Sequence, residues 1–309
     1  MELDAVEDII FIVGGILCLY NMFGIMTQCV LSCIFKMYHT NFRMVYLNHL
    51  LALALISYGY FVSIIIYSLG APDVHNYALE ASEVAALYGN YMMRTIYTAF
   101  FVERGMASLL KMAYYSARYY AVGFLILVLV HVSTLMLMFM AFFANANVTT
   151  LIQACFMILL DIIALICIVG MAQLKKHLIK LSTEPSIELT DRHCIHDNLR
   201  ALNSILTVAA YAGIADLVTS IVNLVLALSK FAIYRAIIFN LMMNICVALA
   251  VTVALKSAGF RSRVGHVMPW TVSMTNGVDI EPVGGLPSVN QESSIVGGLF
   301  LEQGRREGH

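Results

Sequence analysis

Seven runs of continuously apolar residues divide the chain, at about 9–35, 44–69, 83–107, 121–143, 151–173, 204–229 and 236–256. A hydrocarbon core about 30 Å thick takes about 20 mostly apolar residues at roughly 1.5 Å of helical rise, so each run is long enough to cross it. Membrane barrels are built from strands of about ten residues that alternate apolar and polar, and these runs show no such period. They predict α-helices. The third is the weakest, because Arg94 lies inside it and Glu103 and Arg104 close it. The stretch from Leu174 to Asn203 reads as the long loop between spans. Residues 258–309, rich in Gly and Ser and holding Pro269, Pro282 and Pro287, read as a disordered tail. The fold class predicted is an all-α membrane protein, a seven-transmembrane helix bundle over residues 1–257.

Charge orients the bundle. If all seven runs cross, 15 of the 18 basic residues fall on one side, while the other keeps Lys230 and Arg235 beside acidic Asp73, Glu80 and Glu83. Basic loops stay in the cytoplasm, which places the N-terminus outside and the C-terminus inside. Omitting the third run would scramble this segregation.

Composition agrees: 61% of the 309 residues are hydrophobic and 12% charged, more apolar surface than a water-soluble domain can bury. The lipid bilayer is the expected surrounding. A net charge of -1 leaves no basic field for nucleic acid. Glu2, Asp4, Glu7 and Asp8 stand where a cleaved signal peptide carries basic residues, so the first run is a helix of the protein. The seven cysteines lack paired spacing and read as small hydrophobes. Cys194 with His193 and His196 fails as a metal set on spacing and ligand number, and no cofactor is expected.

Three groups of residues carry candidate chemistry. At the inner end of the third span stands Glu103-Arg104-Gly105-Met106-Ala107. Either Glu103 and Arg104 form an ion pair whose release exposes a cationic fork to a cytosolic partner, or Arg104 snorkels to the interface as an anchor. Next, Lys175, Lys176 and Lys180 surround an apolar stripe of Leu174, Leu178 and Leu181 at helical spacing. This is span five continuing as an amphipathic helix, suited either to a partner helix or to anionic lipid. Arg192, Asn198 and Arg200 extend the same inner surface towards span six. Finally, Arg94, Asp161 and Asp216 lie near mid-depth of spans three, five and six, where each costs about 2.5 to 3.5 kcal/mol unless it faces inward and finds a partner. They form either a buried structural ion pair or the floor of a ligand cavity to which Asn90, Tyr91 and Tyr97 add polar contacts. Asn147-Val148-Thr149 is a glycosylation sequon on the outer side, in a very short loop.

No Gly-x-x-x-x-Gly-Lys loop, His-Glu-x-x-His helix or Gly-x-Ser-x-Gly elbow is present, and the reading is not an enzyme. A hydrolase built on Asp161 and Asp216 lacks a Gly-rich context to admit water. A transporter or channel using the mid-depth charges is the rival, although no half-to-half repeat appears.

The pattern Glu103-Arg104-x-x-Ala107 resembles the Glu-Arg-x-x-Ala motif of nematode seven-helix chemoreceptors in the Sra superfamily. The segment Leu189-Thr190-Asp191-Arg192 through Asp197-Asn198-Leu199-Arg200 is similar to the stretch before span six in the same group, where Leu-Ser-x-Arg-Phe-Gln and then Glu-Asn-x-Arg are common. Class Sre is nearest, with Srab and Srb beside it. The chain departs from the group at His193 and Cys194, which replace Phe-Gln, at Asp197, which replaces Glu, and at Gly105-Met106, which replace a bulkier pair. The resemblance implies a G-protein-coupled chemosensory receptor of the plasma membrane, in sensory cilia, that detects a small molecule and signals to a heterotrimeric G protein. It implies further that Arg104 is the switch residue, with Glu103 its resting partner.

Overall fold

In the computed structural model the described residues are 2–34, 39–68, 76–110, 114, 120–143, 146–184, 187–228 and 235–256. They form seven helices, α1 (Glu2–Ile34), α2 (Thr40–Ser68), α3 (Asn76–Leu110), α4 (Tyr120–Phe143), α5 (Ala146–Ser182), α6 (Leu189–Leu228) and α7 (Arg235–Lys256), and no strand occurs among them. All belong to one compact unit, Met1–Ser262. A second unit, Arg263–His309, and the whole of the expected tail at 258–309 lie outside the described residues.

Six of the helices, all but α3, are long and apolar enough to cross a membrane. Large apolar side chains stand exposed along α1 and α4 (Ile12, Ile16, Phe23, Phe124, Leu129, Met136), a pattern that only lipid accommodates. The protein is a helical, multi-pass membrane protein. The low hydropathy of α3 has a packing cause. It sits among α2, α4, α5 and α6, and every residue from Gly89 to Phe100 is buried or half-buried, so this helix needs few lipid-facing residues and can carry polar ones.

α2 and α3 run antiparallel. Ser63 on α2 meets Ser82 on α3, and the backbone oxygens of Ser82 and Ala52 come so near Gly59 and Gly89 that a Cβ there would lie 2.4 and 2.7 Å from them. Glycine is what permits this close approach of α2 and α3.

The stretch read as the long loop is mostly helix: its first part continues α5 as the amphipathic spacing predicted, and its later part opens α6. α5 runs on to Ser182, stopping three residues before Pro185, and α6 begins at Leu189 with Asp191 in its first turn. Proline disfavours helix in the residue before it, and the early acid suits the helix dipole. With 37 and 40 residues, these two helices reach about 55 and 60 Å, roughly twice the hydrocarbon thickness. The apolar stripe of the α5 extension does not wait for a partner. Leu178 is buried in the main core with Ile195 of α6, and Leu174 and Leu181 pack against that core. The pairing of the two extensions covers the stripe.

Candidate functional site

Near the middle of α3, Arg94 ties three helices together. Its Nε lies 2.7 Å from Asp161 Oδ1, its Nη2 donates to Ser220 Oγ at 3.0 Å, and Ser220 Oγ donates in turn to Asp161 Oδ2 at 2.5 Å. Nη1 donates to the backbone oxygen of Asn90 one turn back, at 3.0 Å. The whole triangle is buried, so its stability depends on the partners being complete. Asp216, one turn before Ser220 on α6, is also buried and lies within electrostatic range of Arg94, yet neither of its oxygens has a hydrogen-bond partner. Arg94 therefore pairs with Asp161 directly and with Asp216 only at longer range.

A second ionic cluster closes the other end of α3. Adjacent residues on a helix do not face each other, but the long Arg104 side chain folds back so that Nε and Nη2 each donate to a Glu103 oxygen at 2.5 Å. Tyr114, in the α3–α4 connection, donates its hydroxyl to the same carboxylate. Arg104 Nη1 donates to Asn198 Oδ1 of α6 at 3.0 Å, and the Phe42 ring of α2 lies 4.6 Å beneath the guanidinium, within range of a cation–π contact. Asn198 fastens the far side by donating to Ser108 Oγ.

Arg104 is only 2% exposed and does not snorkel. Nor does Asn198 belong to an outward coupling surface, since it is buried against Arg104. Burial and the Glu103 carboxylate push the Tyr114 hydroxyl well above its ordinary value. His39, whose ring lies 5.0 Å from that of Tyr114, is pushed below its ordinary value by burial, and Glu103 only partly opposes this.

On the inner ends of α5 and α6, Lys176, Lys180 and Arg200 are exposed, while Lys175 and Arg192 are half-buried. Ala107 is buried one turn beyond Glu103 and lines a cavity of about 240 Å3 with Leu178, Cys194, Ile195 and Asn198. Among the described residues no group of three His, Cys, Asp or Glu side chains is placed to hold a metal. All seven cysteines are free thiols.

Towards the opposite end a cavity of about 350 Å3 opens between α2, α3, α5, α6 and α7. Asn90 lines it, as do Glu83, Gln153, Asn223 and Asn240, whereas Tyr91, Arg94 and Tyr97 do not. Tyr91 is buried with Met138 and Met157, and Tyr97 sits against His49 with its hydroxyl unpartnered. The backbone of Asn147 lies in the first turn of α5, and its side chain is outside the described residues.

Sequence reasoning missed Tyr114, Phe42, Ser220 and four of the five polar cavity residues named above. Each is an ordinary residue of a loop or an apolar run, and only the fold brings it to the site. No family model and no curated protein matches this chain.

Proposed function

We propose that the chain is a seven-span receptor that detects a small molecule outside the cell and signals to a heterotrimeric G protein inside, as the Sra-superfamily chemoreceptors it resembles do. In this reading α3 is the seventh crossing, the N-terminus lies outside and the plasma membrane, in sensory cilia, is its place. The observation that carries the proposal is the Glu103–Arg104 pair at the inner end of α3, gripped by Asn198 of α6, with Lys176 and Lys180 exposed on the end of α5 and Arg200 exposed on α6. An ion pair between neighbours on one helix can open without that helix unwinding. Its opening frees a cationic fork and cuts the tie to α6 in one event. Such a two-state element is what a ligand must bias, by binding one state better than the other. These exposed basic residues offer a G protein a surface of opposite charge.

Crossing by α3 is supported by its central packing and by the way each of its mid-depth and inner charges finds a buried partner. Charges placed in this way spare a polar helix the insertion penalty.

A transporter or channel is the second reading, and Asp216 favours it. One arginine faces two buried carboxyls, and the unpartnered one is the kind of group that marks an ion path.

Cells expressing the chain with surface tags, challenged with a panel of small compounds, test the choice. The proposal expects compound-dependent second-messenger output that Arg104→Ala abolishes at unchanged surface abundance. Arg104→Lys should restore it only in part, because an ammonium lacks the planar fork. Uptake or current that depends on Asp216 and needs no G protein would replace the receptor reading with the carrier.

A further inference from the structure

We infer that the cavity of about 350 Å3 takes a small, elongated amine whose far end carries a second hydrogen-bond donor, and that it rejects anions. This deepens the receptor reading and rests on it for the consequence of binding, though not for binding itself. The volume lies at the lower end of small-molecule sites, about 300 to 1,000 Å3.

Three observations fix the ligand's chemistry. The first is charge. Among the described residues Glu83 is the lining residue with a formal charge, and no described Lys, Arg or His lines the cavity. The nearest buried cation, Arg94, is already committed to Asp161, Ser220 and the Asn90 backbone, so it cannot receive a carboxylate or phosphate. An anion entering here would meet Glu83 with nothing to neutralise it, whereas an ammonium would find a partner.

The second observation is an unfilled acceptor. Asn90 is 3% exposed, and its Oδ1 has no hydrogen-bond partner. A buried amide oxygen left in that state is costly, and a donor from a ligand removes the cost. The third is spacing. Glu83, Leu87 and Asn90 stand at i, i+4 and i+7 on one face of α3, so the acid and the unfilled acceptor are separated by roughly 10 Å along the helix. Ile56, Leu87, Met157, Phe239 and Met243 supply an apolar part of the same lining. An ammonium at Glu83, an apolar body along this lining and a hydroxyl or N–H at Asn90 Oδ1 satisfy every group named.

Entry and charge preference are measured together on the full chain in membranes, with Ser63→Cys and Asn90→Cys as alternative reporters. Ser63→Cys is the milder change and guards against misfolding at Asn90. No cysteine lines the cavity, so wild-type labelling gives the background of the native thiols. Each variant is reacted with 2-aminoethyl and 2-sulfonatoethyl methanethiosulfonate, with rates normalised to a free thiol.

The expected result is a cationic reagent about tenfold faster than the anionic one. Glu83→Gln should bring that ratio close to one. Octane-1,8-diamine or 2-(4-hydroxyphenyl)ethylamine should slow labelling of Ser63→Cys, while the matching carboxylates leave it unchanged. Equal rates, a ratio indifferent to Glu83→Gln, absence of labelling, or no protection by either amine would each overturn the inference. The assay involves no G protein. Charge-selective, amine-protected labelling without second-messenger output would sink the receptor reading and leave the amine site standing.

Discussion

Two buried arginines stand ten residues apart on α3, and their partners are of opposite kinds. Arg94 is held by side chains from α5 and α6, more than sixty positions away in the chain. Arg104 is held chiefly by its own neighbour, Glu103, and only secondarily by Asn198 and Phe42. The first arrangement joins three helices, and all of its side chains are buried at the middle of α3. The second opens by rotation of side chains. It lies near the end of its helix, so the long arginine stem can carry the charge to water. One behaves as a rivet and the other as a latch, although both are about equally buried.

Breaking the rivet should have the largest effect. Arg94→Leu leaves two carboxyls buried without a cation and should cost about 3–5 kcal/mol, read as lost surface delivery and a lowered Tm in detergent. Arg94→Leu combined with Asp161→Leu should recover much of that loss, because an apolar pair of similar volume needs no counter-charge. If the double variant were as unstable as the sum of the single ones, the pair would not be the unit we describe.

The latch should cost less to open. Glu103→Gln keeps an acceptor for Tyr114 and lets Arg104 turn outward, so its Tm should fall by the equivalent of about 1–2 kcal/mol while surface delivery persists.

The smallest effect is a pH dependence from His39. Burial lowers its folded-state value below 6.5, so the unfolded chain binds the proton more readily. Stability should be fully present above that value and decline as the pH falls through the lower folded one. The charges facing the ring are Glu103, Arg104 and Asp197. His39→Asn should flatten the profile between pH 7.5 and 5 and keep the start of α2 intact, because the His39 carbonyl that accepts from the Arg43 amide is backbone and Asn is a good cap. An unchanged profile would assign the titration to another group.

Much of the fold was legible in the sequence. The seven apolar runs correspond to the seven helices, and α4 and α7 match their runs to within one residue at each end. Reading α5 as continuing past Leu174 was right, and the error of taking the later part, up to Asn203, as loop has a physical source. Hydropathy records where lipid ends, whereas the helix ends where the backbone must turn, near Pro185. Arg94 with Asp161 was legible too, because a charge in lipid must find an opposite one. The limits were the partners that depend on register between helices. Nothing in the run from Asp216 to Ser220 says that the serine, one turn along, will take the bond while the acid is left without one. Likewise Asn198 reads as a surface residue among charges until α6 is seen to extend far enough to bring it against Arg104.

The central claim is that the Glu103–Arg104 pair is a latch that holds the resting state. Its most direct test is ligand-free G-protein nucleotide exchange on membranes carrying wild type, Glu103→Gln or Arg104→Ala, each matched for surface abundance. The account predicts basal exchange raised several-fold by Glu103→Gln and lost in Arg104→Ala. Glu103→Gln that reaches the surface in full and exchanges no faster than wild type would contradict it.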